Sequence, residues 1–246
     1  IAPSTSKLGS LAPQWQLLDL PYLFASEEEV HRALDGGVGK KLFATLEGYN
    51  IHALAFWDNG FKQMTNSKRP LVYPEDFEGL TFRVMINSQV LEEQFRLLGA
   101  NAVQMPFSDV YQALASGQVD GQENTMSNIY SQHFYSVQPY LTVSNHGFIG
   151  YAVLTSASFW RSLPPDVRQV IEEAMAEVTA WERERAASLN EENFRQVKES
   201  GLVKIHLQTA EEKELWKERL APLYWKFKSM PGGELLDEVI RIKGSF

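Results

Sequence analysis

The 246-residue chain contains no cysteine. This absence excludes disulfide bonds, Cys-ligated zinc, iron–sulfur clusters and thiol catalysis. Long apolar runs are missing as well, since the longest, residues 147–154, falls far short of the roughly 18 residues that a membrane-spanning helix needs. We therefore expect a protein that is not embedded in a membrane.

Basic residues are also few. The chain has 23 Lys and Arg against 31 Asp and Glu, a formal net charge of −8. Nucleic acids and anionic membranes are bound through basic surfaces, so this balance argues against both as partners. The net charge is still compatible with a small anionic ligand, because one buried arginine can attract an anion more strongly than a distant acidic surface repels it.

Common catalytic and metal-binding motifs are absent too. The chain has no G-x-S-x-G, no H-E-x-x-H and no Walker A loop. Its five histidines lack the spacing of metal ligands, so we expect neither a metal site nor a cofactor. One enzymatic alternative stays open: Asp120 and Glu123 lie three residues apart at a strand end, a spacing that an acid–base pair could use.

Short apolar strands alternate with amphipathic helices, an order typical of α/β proteins. A buried strand is predicted at 51–56, and three more follow at 80–85, 102–105 and 119–123. With a helix in each gap, the last three form a βαβαβ unit. Such a unit implies a mainly parallel sheet with right-handed crossovers.

Helix starts are marked by capping residues. Ser26, with glutamate three residues later, begins a helix that the glycine-rich residues 36–39 interrupt. In the βαβαβ unit, Ser88 or Asn87 is predicted to cap the first helix and Ser108 the second.

A long helix is predicted at 164–200. Proline at its start suits a first turn, and no Gly or Pro appears again until Gly201. A single helix over this span would be about 50 Å long, whereas a lobe of roughly 100–120 residues is only about 30 Å across. We therefore expect it to connect two lobes. The alternative is a break near Glu191 that gives two ordinary helices.

Polar residues at strand ends are the candidate binding residues, because ligands of open α/β sheets lie beyond the carboxyl ends of the strands. Arg83 lies inside the apolar run 80–85, where a guanidinium is costly unless it meets an anion. Its planar fork suits a carboxylate ligand, and an internal pair with Asp or Glu is the equal alternative. Ser88 just follows the same strand, and Asn124 follows another.

Several motifs follow one another through essentially the whole chain. They are FWDNGFKQ (56–63), GLTFRV (79–84), LGAN (98–101), MPFSDVYQAL (105–114) and VDGQEN (119–124). In this order and spacing they resemble the solute-binding proteins of tripartite ATP-independent periplasmic (TRAP) transporters, and most closely the branch that binds C4-dicarboxylates.

The resemblance implies an α/β fold of the periplasmic binding protein type: two lobes around a ligand cleft, hinge strands and a long lobe-spanning helix. Lobe I would comprise residues 1–61 and 149–188, and lobe II residues 62–148 and 189–246. Family members carry roughly 65 residues before a segment like residues 1–4, so we expect part of lobe I, and a removed signal peptide, upstream of this chain.

The resemblance also implies roles for single residues. The arginine that binds the substrate carboxylate falls on Arg83, and the asparagine of the cleft falls on Asn124. Lys62 stands where other branches have a second basic residue, which fits a second carboxylate. The remaining positions that face the cleft are Phe107, Ser88, Ser4, Trp57 and Phe148. For Trp57 and Phe148, packing in the hydrophobic core is an equal alternative.

The leading hypothesis is a monomeric periplasmic protein that captures a small organic acid, first of all a C4-dicarboxylate, and delivers it to a TRAP membrane permease. In this hypothesis the protein is not an enzyme. Alternatives on the same fold are another carboxylate (a sugar acid, keto acid or aromatic acid) and a role as ligand sensor. The enzyme alternative based on Asp120 and Glu123 belongs to a different class.

Overall fold

The computed structural model describes residues 1–244, so the last two residues of the range predicted for lobe II lie outside it. Helices and strands alternate as an α/β fold requires. The strands are β1 (Ile51–Phe61), β2 (Gln63–Asn66), β3 (Thr81–Val84), β4 (Asn101–Gln104), β5 (Gly121–Asn124), β6 (Tyr140–Val143), β7 (Phe148–Ser156) and β8 (Lys204–Leu207). The helices are α1 (Glu27–Leu34), α2 (Gly37–Ala44), α3 (Gln89–Leu97), α4 (Val110–Ser116), α5 (Met126–Ser131), α6 (Ala157–Ser162), α7 (Pro165–Glu199), α8 (Ala210–Lys228) and α9 (Glu234–Lys243).

Six strands form one sheet in the order β4-β3-β5-β2-β6-β8. β3 runs parallel to both β4 and β5, and β6 runs parallel to β8. The βαβαβ prediction is therefore confirmed for β3-α3-β4-α4-β5. β2 is antiparallel to both of its neighbours, which makes the whole sheet mixed.

The second sheet consists of β1 and β7, which pair antiparallel along nearly their full length. Two short segments connect the sheets directly, and we call them the crossings. The first is the single residue Lys62 between β1 and β2, and the second is residues 144–147 between β6 and β7. A lobe is built on each sheet, while the residue boundaries proposed above for the lobes stay a prediction.

Helix α7 is one unbroken helix of 35 residues. The single long helix is confirmed, and the alternative of a break near Glu191 is wrong. Asn190 connects the helix to its surroundings, because its Nδ2 donates to the Asn59 carbonyl at 2.7 Å and its Oδ1 accepts from the Ser127 amide at 3.0 Å. The helix therefore contacts both β1 and α5.

Two predicted helix starts are confirmed by their hydrogen bonds. The Ser26 hydroxyl accepts from the Glu29 amide, and α1 then ends before the glycine-rich segment. The Ser88 hydroxyl accepts from the Leu91 amide, so Ser88 is the cap of α3. Asn87 precedes it with a left-handed φ of 68°.

Two local predictions differ from the structure. Ser108 does not cap α4: it lies in a 3-10 turn before the helix, and its hydroxyl donates to the Asp109 carboxylate. The strand predicted at 51–56 continues to Phe61, because β7 supplies a hydrogen-bonding partner over the whole distance.

The larger hydrophobic core reaches from the β1–β7 sheet to helices α3 and α8, and it contains a group of buried aromatic rings. In that group Phe82 stacks on Phe95 with ring centroids 4.7 Å apart, and Phe77 meets Trp216 edge to face. A smaller core is formed by residues of α4, α5 and β6 together with Val197 of α7.

Gly60 of β1 generates a stability prediction. It has a φ of 125°, and a Cβ placed on it would lie 2.7 Å from Nδ2 of Asn190. Gly60→Ala should lower the free energy of unfolding by about 1–3 kcal/mol, because alanine strains this backbone and displaces the Asn190 amide from Asn59. Chemical denaturation measures the change.

Gly48→Ala is the matched control. Gly48 lies in a helical turn, and a Cβ there would meet nothing within 4 Å, so its effect should stay below about 0.5 kcal/mol. Equal destabilisation by the two substitutions would contradict the close approach of Gly60 and Asn190.

Candidate functional site

A cavity of about 250 Å³ lies beyond the carboxyl ends of β3, β4 and β5. On its other side are residues 2–7 and β7, where Ser4 pairs with Tyr151. This is the edge at which ligands of open α/β sheets bind. Four of the eight predicted binding residues line the cavity: Arg83, Asn124, Phe107 and Ser4.

Arg83 is the third residue of β3 and is only 3% exposed. Its Nε and Nη2 donate to the Met105 carbonyl at 3.0 and 2.8 Å, which holds the guanidinium at the end of β4. In the described part of the chain Arg83 has no ion pair, so the alternative of an internal Asp or Glu partner is wrong. Burial lowers the pKa of Arg83 to about 10, which still leaves it charged at neutral pH.

Asn124 ends β5 and lines the same cavity. Its Oδ1 accepts from the Thr125 amide at 3.2 Å and from Nδ2 of Asn128 at 2.7 Å. These bonds occupy the acceptor of the side chain and leave the Asn124 amide group as a donor. Arg83 and Asn124 therefore both offer N–H groups.

The remaining walls combine one aromatic ring with small polar groups. Phe107 follows β4, with its ring edge-on to that of Phe134. The Ser4 hydroxyl is buried and has no hydrogen-bond partner among the described residues. Tyr151 also lines the cavity, and its hydroxyl accepts from the Asn59 amide.

Lys7 is a lining residue that the sequence reasoning missed. Its side chain is exposed and forms no ion pair within residues 1–244. The only signal for it was its position directly after the serine-rich segment at residues 3–6. Among residues 1–244 no Asp or Glu lines the cavity, so Arg83 and Lys7 give it two positive charges. Such a site favours an anion with more than one negative group.

Lys62 lies outside the cavity. It is 3% exposed, and its Nζ is 2.5 Å from Oε1 of Glu123. The Glu123 carboxylate takes one of the three donors of the ammonium group, and the expected contact of Lys62 with a second ligand carboxylate stays a prediction.

Three further predicted residues also lie away from the cavity. Ser88 donates to the Asp19 carboxylate at 2.6 Å while it caps α3. The Trp57 indole donates to the Thr179 hydroxyl of α7 at 3.0 Å. Phe148 is part of the larger hydrophobic core, the alternative named for it above.

The proposed acid–base pair is not assembled. Asp120 accepts from the Thr81 amide at 2.8 Å and pairs with Lys68 at 3.2 Å. Glu123 is buried in its pair with Lys62, and neither carboxylate lines the cavity.

The described residues contain no group of three or more His, Cys, Asp or Glu side chains that could hold a metal ion. Within the same range, every helix is too short or too polar to cross a membrane.

Comparison with known proteins identifies close relatives. The chain is 43% identical over 243 residues to the C4-dicarboxylate-binding protein DctB of Bacillus subtilis, covering 99% of this chain and 69% of that protein. It is 44% identical over 240 residues to the C4-dicarboxylate-binding periplasmic protein DctP of Rhodobacter capsulatus, covering 97% and 72%.

Solved structures share the fold. A TRAP periplasmic solute-binding protein from Sulfurospirillum deleyianum with bound succinate matches with a TM-score of 0.92 at 42% identity, over 98% of this chain and 79% of that chain. A sugar acid binding protein from Advenella mimigardefordensis in complex with galactonate matches with a TM-score of 0.93 at 37% identity, over 98% and 77%.

These matches confirm the two-lobed periplasmic binding protein fold, in which α7 spans the lobes. Residues 1–230 fit the model of bacterial extracellular solute-binding protein family 7. The chain belongs to this family, the DctP family of TRAP transporter solute-binding proteins.

Proposed function

We propose that this protein captures a C4-dicarboxylate in the cavity between Arg83 and Lys7 and delivers it to a TRAP membrane permease. The observation that carries the proposal is the charge of the cavity, where the described residues supply two cations and no carboxylate. The relatives that bind C4-dicarboxylates, and the related structure that holds succinate, support the same ligand class.

Each lining group has a distinct role in the proposal. The N–H groups of Arg83 that Met105 does not occupy bind one carboxylate, beside the free amide of Asn124. Lys7 binds the second carboxylate from the opposite wall, and Phe107 covers the carbon chain between them. The ligand thereby supplies the counter-charge that the buried guanidinium lacks.

Capture involves movement of the lobes, with boundaries at residues 1–61 and 149–188 for lobe I and 62–148 and 189–246 for lobe II. The two cations approach the cavity from different segments, Arg83 from β3 and Lys7 from the N-terminal residues. Closure then places both against one ligand. A ligand shifts this equilibrium only through its higher affinity for the closed state.

The proposal places the protein in the periplasm as a monomer that binds its ligand without chemical turnover. The relative from Rhodobacter capsulatus carries the word periplasmic in its name. No histidine, aspartate or glutamate among the described residues lines the cavity, so the proposal includes no acid–base pair there.

A sugar acid is the second candidate ligand, because the related structure from Advenella mimigardefordensis holds galactonate. Such a ligand keeps its carboxylate at Arg83. Its hydroxyl groups would bind Ser4 and Tyr151 of the opposite wall, and Asn128 beside Asn124.

A thermal-shift panel tests the ligand class directly. It compares succinate, malate and fumarate with galactonate, keto acids and aromatic acids, and uses butyrate as the control with one carboxylate. A ligand at about 1,000 times its Kd adds about 4 kcal/mol to the stability, a shift of several degrees. We expect the C4-dicarboxylates to shift the melting temperature most. A shift by sugar acids alone would support the second candidate, and no shift at all would contradict acid binding.

Arg83→Met tests the principal contact. Removing a buried cation that pairs with the ligand should cost about 3–5 kcal/mol of binding, or roughly two to three and a half decades in the Kd for succinate by calorimetry. Arg195→Met removes the same charge from an exposed position on α7 and should leave the Kd unchanged. A loss of less than threefold for Arg83→Met would contradict its role.

Lys7→Met tests the second contact. It should weaken succinate binding about tenfold or more, the effect of losing one hydrogen bond to a charged group. Butyrate binding should stay unchanged, because butyrate has no second carboxylate. Lys40→Met, at an exposed position on α2, controls for net charge. Equal weakening of succinate and butyrate would assign Lys7 a role other than the second carboxylate contact.

A further inference from the structure

A buried group of charged and polar side chains lies next to the cavity without lining it. Its centre is Glu123, whose Oε1 is 2.5 Å from Nζ of Lys62 and whose Oε2 is 2.8 Å from Nε2 of His146. Nε2 of Gln94 also donates to Oε2 of Glu123 at 2.8 Å. We call these four residues the Glu123 cluster. All four are at most 5% exposed.

Two members of the Glu123 cluster lie in the crossings between the sheets, and a third lies in β5. Lys62 is the first crossing between the sheets, and His146 belongs to the second. Glu123 belongs to β5 and directly precedes Asn124. Successive side chains of a strand point to opposite faces, so the Glu123 carboxylate holds β5 from the side opposite to the Asn124 amide.

The two crossings are also joined directly. The Lys62 amide donates to the Gly147 carbonyl at 2.7 Å. Gly147 leaves no room for a side chain, because a Cβ there would lie 2.3 Å from Cε of Lys62. The Lys62 side chain thus runs tightly over the second crossing on its way to Glu123.

The charge balance of the cluster depends on Lys62. Burial by itself raises the pKa of Glu123, but Lys62 and His146 lower it well below its usual range, so the carboxylate is ionised. Burial lowers the pKa of His146, which therefore binds as a neutral ring between Glu123 and the Ser144 hydroxyl. The nearby Asp19 carboxylate accepts from the Ser6 and Ser88 hydroxyls. Burial raises the pKa of Asp19 and Lys62 lowers it, so Lys62 pairs directly with Glu123 and also acts on Asp19.

We propose that Glu123 is a positioning residue which, through Lys62 and His146, fastens both crossings to β5 and so holds Asn124 in its binding position during lobe closure. This rests on the proposed function, since Asn124 is assigned to the ligand there. It also assigns Lys62 an indirect role: Lys62 neutralises Glu123 and does not touch the ligand. Removing either charge alone leaves the other buried and unpaired, whereas removing both restores the balance.

A double-mutant cycle tests the proposal with the full chain and succinate as the probe. The variants are Lys62→Met, Glu123→Gln and the double substitution. Each single substitution should raise the Kd for succinate at least tenfold. The Kd of the double variant should lie within about threefold of that of the unsubstituted protein. The ratio of butyrate to succinate Kd should not change, because no ligand contact has been removed.

Small-angle X-ray scattering measures the change in radius of gyration on ligand binding, which a loss of stability alone does not alter. Succinate should reduce the radius of gyration of the unsubstituted protein and of the double variant. At saturating succinate the single variants should show a smaller reduction, because their crossings are no longer held to β5.

Two outcomes would overturn the proposal. If the double variant binds as weakly as Lys62→Met, with succinate more affected than butyrate, Lys62 acts on the ligand directly. If the single variants bind and close like the unsubstituted protein, the Glu123 cluster positions nothing. A failure of the proposed function looks different, since the unsubstituted protein itself then does not bind succinate.

His146 provides a second route in case the double variant does not fold. His146→Gln keeps an N–H donor for Glu123 and should bind succinate within about threefold of the unsubstituted protein. His146→Leu leaves Oε2 of Glu123 with Gln94 as its one remaining donor and leaves the Ser144 hydroxyl without its ring partner, so it should weaken binding about tenfold. Equal affinities for these two variants would contradict the role of the cluster.

Discussion

A buried arginine without a carboxylate partner is the constraint on which the site depends. Arg83 lies in β3 between two further strands, and the Met105 carbonyl fixes its guanidinium without neutralising it. Asn124 adds neutral donors, and the described part of the chain contributes no Asp or Glu to the cavity walls. The buried guanidinium therefore carries an electrostatic cost that a bound anion reduces. A preference for anions follows from this arrangement before any detail of the ligand is considered.

Local signals in the sequence were sufficient for much of the fold. The cap at Ser88, the βαβαβ unit and the 35-residue helix α7 all depend on residues that are neighbours in the chain. The location of Arg83 near the end of a predicted strand was readable from the sequence, but the apolar run fitted a ligand carboxylate and an internal Asp or Glu equally well, and only the resemblance favoured the ligand. Ser108 shows the limit of local signals, since its hydroxyl bonds to the adjacent Asp109 instead of starting α4.

The choice between basic residues could not be predicted, because it depends on partners that are distant in the chain. Lys62 meets Glu123, which lies 61 positions further on, and this contact makes it a counter-charge inside the protein. Lys7 meets no described carboxylate and lines the cavity. Both are lysines near polar residues, and only the folded arrangement of the sheets distinguishes them. The partner of Trp57 is also distant in the chain, since its indole N–H donates to the Thr179 hydroxyl of α7.

The unequal lengths of the two crossings restrict how the lobes move. The first crossing is a single residue, Lys62, and the second comprises residues 144–147. One residue has only two soft backbone torsions, whereas four residues have eight, so the first crossing acts as the pivot and the second follows it. Helix α7 forms a third connection, fixed through Asn190 to both Asn59 and Ser127, and it resists twisting about the line between the lobes. We expect closure to be a hinge rotation with its axis next to Lys62, in which a small change of angle at the pivot becomes a larger displacement at the open edge of the cleft.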